Sequence, residues 1–145
     1  MTIPATQTVK LVYRFDEGNA SMVDLLGGKG SNLCEMARLG LPVPPGFVIS
    51  TQVCRDYLVK EQTLPEGLEG SIEESIRENI RELENSIGRS FGSTSDPLLV
   101  SVRSGARVSM PGMMDTILNL GINDQIAEGL ATMMGDPRPA YDAYR

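Results

Sequence analysis

Two segments of the sequence carry residues suited to binding an anion, and the first is Gly27-Gly28-Lys29-Gly30. Glycines let backbone N–H groups approach an anion closely, and a helix that begins there adds partial positive charge. Lys29 supplies a mobile full charge. The segment is therefore a candidate for contact with phosphate, the alternative being a helix-starting turn with a solvated lysine.

Known phosphate-binding motifs do not account for this segment. A P-loop requires a glycine five residues before its Gly-Lys, where Val23 stands, and a Ser or Thr after the lysine, where Gly30 stands. The dinucleotide fingerprint requires a third glycine at the position of Leu33. The segment belongs to neither motif.

The second segment centres on Arg103, which ends an apolar run predicted to be a strand. A guanidinium in that position is costly unless it faces water or a paired anion, and its planar fork can hold two phosphate oxygens at once. Arg103 is a candidate for binding phosphate, and an ion pair with one of the 19 acidic residues is the alternative. Arg107, in the loop that follows, is the weaker candidate.

The loop from Ser109 to Met114 contains three methionines, a proline and a glycine. Methionine is unbranched and adapts its shape, so such a loop can close over a flat base or ribose, or fill a gap against a neighbouring domain. The loop is a candidate for a mobile lid, and core packing of the methionines is the alternative.

Composition restricts the classes of function. The chain has 145 residues, a length typical of one domain, and a net charge of -6, which opposes general nucleic-acid binding but not the binding of a small anion by local cations. It contains no histidine, hence no phosphohistidine and no imidazole base or metal ligand. Neither a long apolar run nor a secretory signal is evident, so we expect a cytoplasmic protein that does not enter membranes.

The apolar patterning predicts an α+β fold with a mixed or antiparallel sheet and packed helices. Thr51 is the expected cap of the second helix, Ser71 with Glu74 a capping box for the third, and Asn123 the cap of the fourth. Cys34 and Cys54 lack C-x-x-C spacing and are expected to be buried thiols. The predicted strands are 9–15, 47–50, 98–103 and 116–120, and the predicted helices are 29–39, 52–60, 71–87, 124–134 and one beginning near Pro139.

The last predicted helix reaches the end of the sequence without a C-terminal cap, which favours a fragment of a longer protein. Four motifs then show a resemblance: Gly-Gly-Lys-Gly-Ser-Asn-Leu, Leu-Pro-Val-Pro-Pro-Gly-Phe, Ser-Val-Arg-Ser-Gly-Ala and Ser-Met-Pro-Gly-Met-Met-Asp-Thr. In this order and rough spacing, over most of the range 11–144, they resemble the pyruvate phosphate dikinase family. The fourth motif favours that family over phosphoenolpyruvate synthase and the glucan dikinases.

The resemblance implies that residues 1–145 are the N-terminal part of an ATP-grasp-type nucleotide-binding domain. It implies that Lys29 and Arg103 contact ATP phosphates and that the chain contains neither a catalytic residue nor a metal ligand. The Mg²⁺ that accompanies ATP is expected to be held by later segments of the parent enzyme. The loop residues expected to cover the nucleotide are Ser109, Met110, Gly112 and Met113.

In that family the full enzyme, expected to be a homodimer, interconverts ATP, pyruvate and phosphate with AMP, phosphoenolpyruvate and diphosphate. A histidine on a swivelling domain carries the phosphoryl group to pyruvate on a C-terminal barrel, and these parts are not in this sequence. We therefore expect ATP and the missing domains as partners and no catalysis by the chain alone. Two alternatives remain: a non-catalytic nucleotide-binding or regulatory module, and a related enzyme of the phosphoenolpyruvate synthase type.

Overall fold

A computed structural model of the protein describes residues 10–60, 62–105 and 116–145. The chain forms two compact units, Met1–Arg77 and Glu78–Arg145, and the boundary between them falls within a long helix. The regular elements of the described residues, in chain order, are β1 (Val12–Arg14), α1 (Val23–Arg38), β2 (Phe47–Ile49), α2 (Thr51–Val59), α3 (Leu68–Ile87), β3 (Val100–Arg103), β4 (Thr116–Leu120), α4 (Asp124–Met134) and α5 (Pro137–Tyr144).

In the first unit, β1 and β2 form an antiparallel pair in which Val12 lies opposite Ile49. Two 3₁₀ turns, Phe15–Glu17 and Ala20–Met22, connect β1 to α1. Leu26 and Cys34 of α1 are buried, as is Val12 of β1. These three residues lie in the interior of the unit, whereas Ile49 of β2 is exposed.

Helix α1 ends as the sequence indicated. Gly40 follows it with φ 73°, and the N–H groups of Gly40 and Leu41 donate to the carbonyl oxygens of Ala37 and Met36, each over 3.0 Å. A glycine at this position adopts the left-handed conformation without steric penalty and so satisfies carbonyl groups that the helix end leaves open.

Two of the predicted caps are wrong. The residue that precedes α2 is Ser50, and Thr51 instead donates from Oγ1 to the carbonyl oxygen of Asp24 over 2.6 Å. Helix α3 begins at Leu68, so Ser71 lies inside it and donates from Oγ to Gly67 O over 3.2 Å. A hydroxyl side chain can cap a helix or donate to a backbone carbonyl oxygen, and the surrounding structure decides between these uses.

The second unit contains an antiparallel β3–β4 hairpin and the helices α4 and α5. Ile126 and Leu130 of α4 pack with Ala140 of α5 to form its buried core. The Asn123 cap is confirmed, because its Oδ1 accepts from Ile126 N over 2.9 Å. Helix α5 begins two residues earlier than predicted, at Pro137, where Asp136 caps it.

The α+β class is confirmed, with two-stranded antiparallel sheets among the described residues. The expectation of two buried cysteines is half right. Cys34 is fully buried and burial raises the pKa of its thiol, whereas Cys54 is exposed on α2, a helix in which no residue is fully buried. Within the described ranges, no helix combines the length and apolar character needed to cross a membrane.

Candidate phosphate-binding residues

Gly27 interrupts α1 at the start of the glycine-lysine segment. Its backbone has φ 72° and ψ 166°, a combination that is accessible almost only to glycine, whereas the rest of α1 is helical. The interruption divides α1 into a short segment from Val23 to Leu26 and a longer one that begins at Gly28. The predicted start of a helix within this segment is confirmed, although helical structure also precedes it.

Two hydroxyl groups hold the backbone on either side of this break. Ser31 is fully buried and donates from Oγ to the carbonyl oxygens of Gly27, over 2.8 Å, and of Gly28, over 3.2 Å. Thr51, at the start of α2, bonds to the Asp24 carbonyl of the short segment. These supporting bonds are not predictable from the sequence, because a serine or threonine without its tertiary contacts carries no signal for them.

Gly30 is required by packing. A Cβ built on Gly30 would lie 2.9 Å from Cγ1 and 3.1 Å from Cγ2 of Val48 in β2, closer than side chains normally pack. The third glycine of the segment therefore lets α1 lie directly against β2. Gly30, predicted from the sequence to allow the approach of a phosphate, has this additional role in the structure.

Lys29 lies between Gly28 and the buried Gly30, in the first turn of the longer α1 segment, and is exposed. The first N–H groups of a helical segment lack carbonyl partners within that segment and carry partial positive charge. Lys29 thus adds a full cation to a backbone that is already suited to an anion.

Carboxylates of the first unit are held by neighbouring cations. Arg14 lowers the pKa of Asp16 through a side-chain hydrogen bond of 3.0 Å from its Nε. Glu17 is partly desolvated, which raises its pKa, but hydrogen bonds from Lys10 Nζ and from the Arg14 N–H outweigh burial and lower it overall. These carboxylates are ionised at neutral pH and already have cationic partners.

Arg103 is the last residue of β3, lies opposite Thr116 of β4 and is exposed. No ion pair joins it to a carboxylate within residues 10–60, 62–105 and 116–145. In the part of the chain that the structure describes, the alternative of a structural ion pair for Arg103 therefore finds no support.

The hairpin that carries Arg103 contains a β-bulge. Val100 pairs with Leu120, whereas Val102 pairs with Ile117, so one residue of β3 faces two residues of β4. The second of these two, Asn119, has φ 53°. Such bulges change which side chains share a face of the sheet.

The other predicted site residues lie outside the described residues. They are Arg107 and the loop residues Ser109, Met110, Gly112 and Met113. Among the residues that are described, no group of three or more Cys, Asp or Glu side chains is placed to hold a metal ion.

The sequence matches the family model described as "Pyruvate phosphate dikinase, AMP/ATP-binding domain" over residues 23–74 and 67–136. It is 57% identical over 136 residues to pyruvate, phosphate dikinase of Clostridium symbiosum, a match that covers 94% of the chain and 15% of that protein. It is 53% identical over 146 residues to a chloroplastic pyruvate, phosphate dikinase of Oryza sativa subsp. japonica, covering 98% of the chain and 15% of the relative. It is 56% identical over 140 residues to the Rhizobium meliloti enzyme, a match that covers 94% of the chain and 15% of that protein.

The fold is of the α+β class, with a helix interrupted at a glycine and an exposed arginine at the end of a bulged hairpin. The chain belongs to the pyruvate phosphate dikinase AMP/ATP-binding domain family. It spans about 15% of the length of the curated relatives that it matches.

Proposed function

We propose that this chain supplies phosphate-binding groups of the ATP-binding domain of a pyruvate phosphate dikinase. The observation that carries the proposal is the break at Gly27, which starts a new helical segment with Lys29 exposed in its first turn. Backbone N–H groups and a lysine together suit a phosphate chain. Lys29 is proposed to contact a phosphate oxygen of ATP.

Arg103 is proposed to contact ATP phosphate as well. It is exposed at the end of a strand, and no carboxylate of the described residues forms an ion pair with it. A guanidinium can hold two oxygens of one phosphate group in a bidentate arrangement. The segment from Ser109 to Met114, which includes Met110, Gly112 and Met113, is proposed to cover the bound nucleotide.

Residues 1–145 are proposed to be the N-terminal part of that domain, of ATP-grasp type, within an enzyme that interconverts ATP, pyruvate and phosphate with AMP, phosphoenolpyruvate and diphosphate. The chain has no histidine to carry a phosphoryl group. Mg²⁺ would enter with ATP and be held by other parts of the enzyme, where it would neutralise phosphate charge. The chain alone is proposed to bind and not to catalyse.

ATP and the other domains of the enzyme are the proposed partners of the chain, the full enzyme is proposed to be a homodimer, and neither nucleic acid nor membrane is a proposed partner. The proposed location is the cytoplasm. The rice relative is named chloroplastic, so a plastid location is the alternative to test.

Thermal unfolding of the 145-residue chain with and without MgATP tests the proposal. A ligand at about 100 times its Kd stabilises the folded state by about 2.7 kcal/mol, which raises Tm by several degrees in a domain of this size. Lys29→Ala and Arg103→Ala are each expected to reduce the shift. Lys60→Ala and Arg81→Ala, which remove exposed cations of α2's end and of α3, are the matched controls and are expected to retain it.

An unchanged Tm for the folded wild-type chain at millimolar MgATP would contradict nucleotide binding by these residues alone. A shift that survives Lys29→Ala and Arg103→Ala would contradict the assignment of these two residues. A shift of equal size with ATP and with inorganic triphosphate would show that the chain recognises phosphate without the base, and would remove the proposed role of the loop from Ser109 to Met114.

A further inference from the structure

The β-bulge determines which residue lies opposite Arg103. Arg103 pairs with Thr116, and Val102 with Ile117, but beyond Ser101 the register shifts so that Val100 pairs with Leu120. Residues on one face of a sheet alternate along each strand. The bulge therefore places Arg103 and Thr116 on one face.

The opposite face is apolar. It carries Val100 and Val102 of β3 with Ile117 and Leu120 of β4, by the observed pairing. In a hairpin of regular register, a strand that kept the pairing of Val100 with Leu120 would place Arg103 opposite Ile117 instead. The extra residue therefore decides whether Arg103 lies opposite Thr116 or opposite Ile117.

Asn119 holds the extra residue. Its φ of 53° lies in the left-handed region, which asparagine tolerates better than other residues with a side chain. Its Nδ2 donates to the carbonyl oxygen of Ala143 in α5 over 3.1 Å. The side chain thus ties the bulge to a helix that is itself packed on α4 through the buried Ala140.

The far ends of both strands are also held. Leu98, before β3, is buried and its N–H donates to Ser90 O over 2.9 Å. After β4, a Cβ on Gly121 would lie 2.9 Å from Cε2 of Phe91 and 3.3 Å from Leu98 O, so this turn is enclosed. A loss of the bulge would therefore shift the pairing at the Arg103 end.

We propose that Asn119 is a positioning residue for Arg103: by occupying the left-handed conformation, it keeps Arg103 opposite Thr116 rather than Ile117. The consequence for nucleotide rests on the proposed function of Arg103, whereas the consequence for register does not. Asn119 itself is not proposed to touch the ligand.

The register is tested with Asn119→Val and Asn119→Gly in the 145-residue chain, with cross-strand NOEs as the readout. Valine favours regular strands and avoids positive φ, whereas glycine adopts positive φ readily. The expected result is an Arg103–Thr116 contact in the wild type and in Asn119→Gly, and an Arg103–Ile117 contact in Asn119→Val. Retention of the Arg103–Thr116 contact in a folded Asn119→Val would overturn the inference.

The functional consequence is tested by MgATP titration of the same variants and of Arg103→Ala. Arg103→Ala should weaken ATP binding about tenfold or more, because it removes hydrogen bonds to a charged phosphate group. Asn119→Val should weaken ATP binding when Arg103 is present, but it should cause no further loss when combined with Arg103→Ala. The effects of two substitutions are not additive when both act through the same contact.

The two proposals fail differently. If Arg103→Ala leaves ATP affinity unchanged, the proposed function of Arg103 is wrong, and the NOEs still decide whether Asn119 sets the register. In a second case, Arg103→Ala weakens ATP binding, but a register-shifted Asn119→Val binds ATP as tightly as the wild type does. The proposed function of Arg103 then holds, and the proposed positioning role of Asn119 is wrong.

Discussion

Ser31 donates a hydrogen bond from Oγ to the carbonyl oxygen of Gly27 over 2.8 Å, from a position with no exposed surface. The bond spans the place where α1 changes direction, because Gly27 has φ 72° and ψ 166° between helical neighbours. A second hydroxyl, that of Thr51, holds the Asp24 carbonyl on the other side of the break. The conformation that presents Lys29 is thus built from glycine backbone and supported by side chains of two helices.

Gly27→Ala is expected to destabilise the chain by about 1–3 kcal/mol, because a residue with a Cβ is strained at this φ and ψ. Gly28→Ala is the matched control, since a Cβ there meets nothing within 4 Å and its backbone is helical. Urea unfolding at pH 7 should show a lower midpoint for Gly27→Ala and an unchanged or slightly higher one for Gly28→Ala. Equal midpoints for the two variants would contradict a break that requires glycine.

Gly30→Ala is expected to destabilise the chain by about 1–3 kcal/mol through overpacking, because its Cβ would lie 2.9 Å from Cγ1 of Val48. Valine is stiff at χ1 and cannot easily turn away. Val48→Ala should relieve the clash, so the double variant should lose less stability than the sum of the two single variants. Additive losses of stability in the same urea assay would contradict a steric clash between the added Cβ and Val48.

Acid should weaken the first unit through Asp16 and Glu17. Their pKa values are lowered in the folded state, by the Arg14 side chain for Asp16 and, against burial, by Lys10 and the Arg14 N–H for Glu17. The stability that they contribute is therefore present above their ordinary pKa range and is lost as pH falls through the lowered folded-state values. Urea midpoints between pH 7 and pH 3 should fall less steeply for Glu17→Gln than for the wild type, and parallel curves would rule out this contribution.

The two cysteines should differ in reactivity. Cys34 has no exposed surface and burial raises the pKa of its thiol, while Cys54 is exposed. Because the thiolate is the reactive form, a thiol reagent at pH 8 should label Cys54 rapidly and Cys34 only after unfolding. Cys54→Ser should abolish the fast phase, and Cys34→Ser should retain it. Fast labelling in Cys54→Ser would mean that the interior around Cys34 opens readily.

Local signals of the sequence were sufficient for most elements. β4 was predicted with its observed bounds, the Asn123 cap is present, and the turn at Gly40 ends α1 as expected. These features depend on residues close together in the chain, where periodicity, caps and glycine conformations act within a few positions. The roles of Lys29 and Arg103 stay predictions, which thermal unfolding of the two alanine variants with MgATP tests.

Other features depend on neighbours that are distant in sequence. Thr51 was expected to cap α2, but the Asp24 carbonyl lies within its reach; Cys54 was expected to be buried, but α2 buries none of its residues fully. Asn119, within the bulge, donates from its side chain to the carbonyl oxygen of Ala143 in α5.

The α+β class, the order of the elements and the glycine-lysine segment follow from the sequence, because periodicity and backbone preferences act locally. Three relationships emerge only in the folded chain: Gly30 lies against Val48, Ser31 supports the break at Gly27, and Arg103 lies opposite Thr116. Burial, register and hydrogen-bond choice are settled by whichever distant group occupies the same space, and no local pattern specifies that group.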